Sequence, residues 1–209
     1  MKASVQAIFD ELYTRYPALI SCAADIEGAA ALMIDGFEAG NKLLTCGNGG
    51  SASDAEHIVG ELMKAFVLPR KLSKELCDKL GDEYLSSNLQ GALPAVSMIG
   101  ESALSTAYAN DCAPDLAFAQ QVLGLGREGD MLLGISTSGN SKNVVYAAKV
   151  ARAQGLKVIM LTGEGGGKCA SLADIAIRVP EKETFKVQEY HLPVYHALCL
   201  AIEEEFFGE

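Results

Sequence analysis

The sequence predicts an α/β protein with three α/β/α layers around a five-stranded parallel sheet. Five short apolar runs alternate with longer segments of helical periodicity, and each run is bounded by Gly, Pro, Ser or Asp. Strands that alternate with helices form a parallel sheet with helices on both faces. The length of 209 residues suits a single domain, 1–209. The predicted strands are 42–46, 95–99, 131–135, 157–161 and 175–179.

Helical periodicity predicts two helices before the first strand, four between strands and one after the last. In chain order they cover about 4–19, 25–39, 51–66, 101–124, 141–154, 168–173 and 184–206. The first helix has one apolar stripe, which packs either on the core or against another subunit: Val5, Ile8, Phe9, Leu12 and Tyr13.

The segment 68–94 fits this alternation poorly, because it is long and its first half is polar. Its pattern predicts a short helix near 73–80 and a turn around Gly81. We interpret the segment as an insertion at the sheet edge or over a site.

Composition excludes several classes of function. The net charge of -10 argues against binding nucleic acid or an anionic membrane, although a local site can still take an anionic small molecule. Six scattered cysteines form no CxxC pair, so we expect free thiols and a cytoplasmic protein. The N-terminus predicts an amphipathic helix rather than a signal peptide, and we expect no stretch near membrane-spanning length.

Three strands are followed by loops rich in Gly, Ser and Thr: 47–51 (GNGGS), 136–141 (STSGNS) and 162–167 (TGEGGG). Parallel strands end at one sheet edge, where ligands bind. Ser51 is predicted to be the N-cap of the next helix, with free amides suited to an anion. Two such loops favour a phosphate or sugar-phosphate site over simple capping. Neither matches a dinucleotide or P-loop motif, and 162–167 is interpreted as a plain turn.

His57 and Glu61 lie four residues apart on the helix that begins at the first loop. This spacing places them on one helix face, where they can share a zinc ion or one can orient the other. A solvated surface pair is the alternative. Glu61 lies about 15 Å along the helix from Ser51, a distance that suits an open-chain sugar phosphate.

The last helix contributes Gln188, His191 and His196. About 12 Å of helical rise separates Gln188 from His196, too far for both to bind one ion from a straight helix. Pro193 kinks the helix between them, or the two side chains come from different subunits. His191 is interpreted as a capping or packing residue.

Several stretches together resemble the sugar isomerase (SIS) domain, and specifically its phosphoheptose isomerase branch. They are LTCGNGGSASDAEHIVGEL, AND (109–111), the stretch from GREGD to IAIRVP, and VQEYHLPVYHAL. The resemblance implies a flavodoxin-like α/β/α fold and a homotetramer with active sites at subunit interfaces. It also implies an aldose–ketose isomerase that interconverts sedoheptulose 7-phosphate and a manno-heptose 7-phosphate.

The resemblance further implies a role for each matching residue. The substrate-binding residues would be Asn48, Gly49, Gly50, Ser51, Glu61, Asn110, Asp111, Ser136, Thr137, Ser138, Ser141 and Gln188. One zinc ion per site would be held by His57, Glu61, Gln188 and His196. The catalytic acid/base pair would be Glu61 and His196, acting through an enediol.

Two features depart from that branch and bear on which sugar is used. The segment 68–94 is longer than the corresponding loop, and Phe185 stands where the branch carries an aspartate. The alternatives are an isomerase of another ketose phosphate, a non-catalytic adaptor resembling the protein that binds the replication initiator DnaA, and a sugar-phosphate sensor. Because the adaptor lacks the catalytic Glu and the last His, Glu61 and His196 favour the enzyme.

Overall fold

The computed structural model describes residues 2–208, and in these residues five parallel strands form one sheet. The strand order is β2-β1-β3-β4-β5, which confirms the predicted fold class. The strands are β1 (Leu43–Cys46), β2 (Ala95–Ser97), β3 (Met131–Ser136), β4 (Lys157–Gly163) and β5 (Ile175–Val179). Because β1, β3 and β4 are neighbours, the three loops singled out in the sequence also lie side by side.

The α-helices of the described chain are α1 (Ala3–Arg15), α2 (Ala23–Glu38), α3 (Gly50–Met63), α4 (Lys74–Leu80), α5 (Glu83–Asn88), α6 (Ser102–Asp111), α7 (Ala117–Leu125), α8 (Lys142–Ala153), α9 (Gly167–Ala170) and α10 (Thr184–Phe207). Short 3-10 helices cover Pro17–Cys22 and Pro114–Leu116.

Alternate strand residues face two separate cores, because side chains of a strand point to opposite faces. Leu43 packs into the core formed with α1, α2, α3 and α10. The next residue, Leu44, packs into the core formed with α7, α8 and α9. On the first face, α1 packs against α10 and buries Val5, Phe9 and Leu12, so the stripe of the first helix lies in the core.

Several predicted boundaries are wrong, mostly at prolines and glycines. The helix expected over 101–124 is two helices, since the chain turns into a 3-10 helix at Pro114 between α6 and α7. Proline has no amide hydrogen to continue the helical ladder. The first helix ends at Arg15, two residues before Pro17. Gly49 rather than Ser51 is the N-cap of α3, with φ of 59° in the left-handed region that favours glycine.

The segment 68–94 forms an exposed arm. Its helices α4 and α5 bury no residue in the described structure, and Gly81 ends α4 in a left-handed conformation, as the sequence predicts. Both ends of the arm are fastened close to the end of α3. The Gly91 amide donates to the Arg70 carbonyl at 2.7 Å, and the Leu93 amide donates to the Leu62 carbonyl at 3.0 Å. The arm therefore projects from the end of the helix that carries Glu61.

The segment Pro17–Glu38 is long and apolar enough to cross a membrane by length and composition, so the expectation of no such stretch is wrong. The segment is a 3-10 helix followed by α2, and one side of it packs into the core that contains α1 and α10, whereas Ile20 is 61% exposed. Ile26, Ala29 and Met33 are at most 1% exposed. A helix in a protein core passes the same test of length and composition.

Candidate functional site

The first loop joins β1 to α3 and turns tightly into the first turn of that helix. The chain turns at Gly49, and the Ser51 and Ala52 amides donate to the Asn48 and Gly49 carbonyls at 3.1 and 3.0 Å. Ser51 is 3% exposed, so its hydroxyl faces the interior instead of capping the helix. Asn48, Gly49 and Gly50 are exposed at the N-terminus of α3, the end of a helix that favours an anion.

Gln188 of α10 lies against this loop. A β-carbon on Gly50 would be 2.5 Å from Nε2 of Gln188 and 3.1 Å from its Cδ. Because glycine has no β-carbon, position 50 leaves room for the Gln188 amide group beside the first turn of α3. The sequence marks Gly50 and Gln188 separately, but no pattern in it shows that they touch.

The second loop follows β3 and carries four hydroxyl groups. Ser136 is buried, and its Oγ lies 2.9 Å from Oγ of Ser141. The Ser138 hydroxyl is exposed at the loop tip and accepts a hydrogen bond from the Asn140 amide at 3.2 Å. Thr137 is half-buried. The loop thus uses the Ser136 and Ser141 hydroxyls for an internal contact and leaves the Ser138 hydroxyl exposed.

The first two loops are joined by a pair of side-chain amides. Asn48 donates to Asn143 at 3.0 Å, and Asn143 donates back to Asn48 at 2.8 Å. Asn143 lies in the first turn of α8, and no motif in the sequence singles it out. This reciprocal contact makes the two predicted phosphate loops one continuous surface.

The third loop, 162–167, and the helix α9 that follows it donate backbone hydrogen bonds to the second loop. The Gly163 amide donates to the Thr137 carbonyl at 3.0 Å, and the Cys169 amide donates to the Gly139 carbonyl at 2.8 Å. Gly139 has φ of 63°, and a β-carbon there would collide with the Gly166 carbonyl. These contacts agree with the interpretation of the third loop as a turn, and they stabilise the conformation of the second loop.

Glu61 is held between two basic side chains farther along α3. Its Oε1 lies 3.1 Å from Nε2 of His57, and its Oε2 lies 3.4 Å from Nζ of Lys64. The Glu61 side chain is 12% exposed, against 42% for His57. The pair is therefore not an ordinary solvated helix pair, because the carboxylate is largely withdrawn from water.

The other nitrogen of His57 contacts Tyr195 of α10. Nδ1 of His57 lies 3.0 Å from the Tyr195 hydroxyl, and the tyrosine side chain is buried. Burial and the neighbouring Asp54 carboxylate raise the pKa of Tyr195, so the hydroxyl keeps its proton. The Tyr195 hydroxyl fixes the orientation of the His57 ring through Nδ1, and Nε2 is left to contact Glu61.

His196 completes the cluster from α10. Its ring centre lies 5.1 Å from that of His57 and 4.9 Å from that of Tyr195. Within the described chain its Nε2 is buried without a hydrogen-bond partner. Burial, followed by the nearby His57, lowers the pKa of His196, and Glu61 partly opposes this shift. His196 is therefore a neutral imidazole beside the carboxylate of Glu61.

The four residues proposed from the resemblance as metal ligands are only partly brought together within one chain. His57, Glu61 and His196 converge, whereas Gln188 lies at Gly50. Helix α10 runs without interruption through Pro193, so about 12 Å of rise separates Gln188 from His196. In residues 2–208 no group of three or more His, Cys, Asp or Glu side chains is arranged to hold a metal ion.

Four other residues singled out in the sequence also have clear positions. Asn110 donates to Asp111 at 2.8 Å at the exposed end of α6. Phe185 is 57% exposed in the first turn of α10. His191 is fully buried, and burial lowers its pKa to about 4, in agreement with a packing role.

Comparison with known proteins places this geometry in a family. The model of the SIS domain matches residues 18–163. The phosphoheptose isomerase of Akkermansia muciniphila is 38% identical over 193 residues, which is 92% of each chain.

Two solved structures are also similar along nearly their whole length. The phosphoheptose isomerase of Neisseria gonorrhoeae has a TM-score of 0.75 at 35% identity, covering 96% of this chain and 97% of that one. The phosphoheptose isomerase of Francisella tularensis has a TM-score of 0.75 at 33% identity, covering 97% and 100%. With the loops and the Glu61 cluster in place, the chain belongs to the SIS domain family and, within it, to the phosphoheptose isomerases.

Proposed function

We propose that this chain interconverts sedoheptulose 7-phosphate and a manno-heptose 7-phosphate by proton transfer through an enediol. The observation that carries the proposal is the withdrawn carboxylate of Glu61, which lies beside the neutral imidazole of His196 and on the helix that begins at the phosphate-type loops. An aldose–ketose isomerisation needs one base, one acid and polarisation of the carbonyl. The similarity to phosphoheptose isomerases supports a heptose phosphate as the substrate.

The loops take the phosphate end of the substrate. The exposed N-terminus of α3 at Gly49 and Gly50 and the hydroxyls of Thr137, Ser138 and Ser141 bind the phosphate oxygens. The Asn48–Asn143 contact fixes the two loops relative to each other. The sugar then extends toward the other end of α3.

The proton moves at that other end. Glu61 takes the proton from the carbon next to the carbonyl, and its contacts with Lys64 and His57 hold its side chain in place for the step. His196, neutral and close by, passes a proton between the two oxygens of the enediol. Glu61 then returns the proton to the neighbouring carbon.

We also propose zinc as the cofactor, held by His57, Glu61, His196 and Gln188. Imidazole and carboxylate are the donor types that zinc prefers, and the buried, unpartnered Nε2 of His196 supports a ligand at this point of the described chain. When bound, zinc supplies Lewis-acid polarisation of the carbonyl. The distance of Gln188 from His196 supports a homotetramer in which another subunit completes the site. A cytoplasmic location is supported by six cysteines that are all free within residues 2–208.

The test is exchange of carbon-bound hydrogen with solvent. In deuterium oxide with zinc, we expect the protein to convert sedoheptulose 7-phosphate and to place deuterium at the carbons that share the enediol. Glu61→Gln should lower kcat about 10²–10⁴-fold, the usual contribution of a general base. Glu56→Gln, on an exposed position of the same helix, is the matched control and should keep full activity. Absence of exchange with every six- and seven-carbon ketose phosphate would overturn the proposal.

A further inference from the structure

Arg70 and Glu203 form an ion pair inside the protein, close to the end of α3. Their side chains are 0% and 1% exposed, and Nε of Arg70 lies 2.8 Å from Oε1 of Glu203. Arg70 stands at the start of the arm 68–94, and Glu203 stands near the end of α10. The pair thus links two segments that are 133 residues apart in the chain.

Each member of the pair also binds main-chain groups around the end of α3. Arg70 donates to the Leu62 carbonyl at 2.6 Å and to the Glu61 carbonyl at 2.9 Å. The last carbonyls of a helix have no partner within the helix, and a cation is favourable there. Glu203 accepts three amides of the segment that leaves α3, at 2.8, 2.8 and 3.0 Å: Phe66, Val67 and Leu68.

The surroundings hold the guanidinium of Arg70 in place. It lies 4.8 Å from the ring centre of Phe207, a cation–π contact. The Gly91 amide donates to the Arg70 carbonyl at 2.7 Å, and a β-carbon on Gly91 would be 2.9 Å from the Phe207 ring. Arg70 therefore has one position, set by the arm and by the last turn of α10.

A buried ion pair is a poor choice for stability alone, since apolar residues of similar volume often serve as well. Apolar residues cannot, however, fix the position of polar groups. The guanidinium of Arg70 binds two carbonyls and a carboxylate at once and so fixes all three relative to one another. The carbonyl that Arg70 binds at 2.9 Å belongs to Glu61. Glu203 lies seven residues after His196 on α10, two turns along the same face.

We propose that Arg70 and Glu203 are positioning residues that hold the backbone of Glu61 on α3 at a fixed place relative to His196 on α10. This rests on the proposed function, in which those two side chains move the proton. The start of the arm 68–94, where Arg70 lies, would thus help to set the distance between Glu61 and His196. Arg70 and Glu203 themselves do not touch the substrate.

The test compares Arg70→Lys and Glu203→Gln with a matched control that removes a buried carboxylate far from the site. Asp130 is 3% exposed, forms an ion pair with Lys42, and accepts the Lys42 and Arg127 amides at 3.0 and 2.8 Å. It lies just before β3, at the sheet edge opposite the loops. Asp130→Asn therefore reproduces the loss of a buried, amide-bound ion pair without touching α3.

We expect Arg70→Lys and Glu203→Gln to lower kcat by about 10²-fold, since a displacement of 1 Å costs that much in a well-aligned site. The KM for the sugar phosphate should change less than about threefold, because the phosphate loops lie at the other end of α3. Guanidinium added to Arg70→Ala should restore part of kcat. Asp130→Asn should keep kcat even where its Tm falls as far as that of the Arg70 variants.

Opposite results are distinguishable. A folded Arg70→Lys or Glu203→Gln protein with wild-type kcat would overturn the positioning role, as would an equal loss of kcat in Asp130→Asn. If Arg70→Lys fails to fold, Glu203→Gln decides the question on the same two criteria. A wild-type protein that isomerises no ketose phosphate would instead overturn the proposed function, whatever the variants do.

Discussion

Gly50 sits in the first turn of α3 with the Gln188 amide 2.5 Å from the place of a missing β-carbon. Its φ is outside the left-handed region, so alanine fits the backbone there. The gain of about 0.5–1 kcal/mol for alanine over glycine applies inside a helix, and Gly50 is the first residue of α3. We therefore expect Gly50→Ala to fold as well as wild type while it displaces the Gln188 amide group and lowers kcat/KM about tenfold or more.

Gly60 provides the control for this substitution, because it lies on the same helix and a β-carbon there meets no atom within 4 Å. Gly60→Ala should raise Tm and leave kcat/KM unchanged. Thermal melting and steady-state kinetics on both variants separate the two effects. Equal activity of Gly50→Ala and Gly60→Ala would mean that the position of Gln188 does not matter to turnover.

At the scale of elements, helix α10 buries His191 against β4 and keeps it neutral. Burial lowers the pKa of His191 to about 4, and the main chain of Thr162 opposes this only partly. An unfolded histidine titrates near 6.5, so the unfolded chain binds more protons between that pH and about pH 4. The contribution of His191 to stability therefore falls as the pH drops through this window and is constant above it.

The expected result is a pH-dependent difference between wild type and His191→Leu. Between about pH 8 and about pH 5, wild type should lose about 2 kcal/mol of unfolding free energy more than the variant. Urea unfolding at each pH measures this difference. Parallel pH profiles for the two proteins would show that His191 titrates normally in the folded state.

The helices and strands also show how much of the fold could be predicted from the sequence. Hydrophobic periodicity predicts the five strands and places His57 and Glu61 on one face of α3. It overlooks the break between α6 and α7, although Pro114 marks it, and it puts the start of α3 at Ser51 because serine caps helices more often than glycine. Periodicity identifies the face of a helix but not its partner. Periodicity therefore does not identify Tyr195 on α10 or Arg70 in the segment that follows α3 as residues that contact α3.

At the scale of the whole molecule, the strand order brings the three loops to one edge, and the long α10 spans from that edge to the Glu61 cluster. A rigid helix keeps Gln188, near its start, about 12 Å of helical rise from His196, near its middle. The proposed tetramer resolves this separation if each site takes Gln188 from one subunit and Glu61 from another. Closed symmetry then repeats the same shared site around the assembly.

Mixed oligomers test that arrangement directly. Glu61→Gln and Gln188→Ala are each expected to be inactive as pure proteins, since every site lacks one proposed residue. When the two are co-expressed with different tags and purified through both, sites that combine the intact Glu61 of one chain with the intact Gln188 of the other should appear. Random pairing across a two-fold interface makes about a quarter of all sites intact before purification, and selection for both tags raises that fraction. Activity of about a quarter of wild type or more in the purified sample indicates a shared site, because neither parent can supply it. A mixture as inactive as its parents would place both residues of each working site in one chain, and an active Gln188→Ala parent would remove Gln188 from the site altogether.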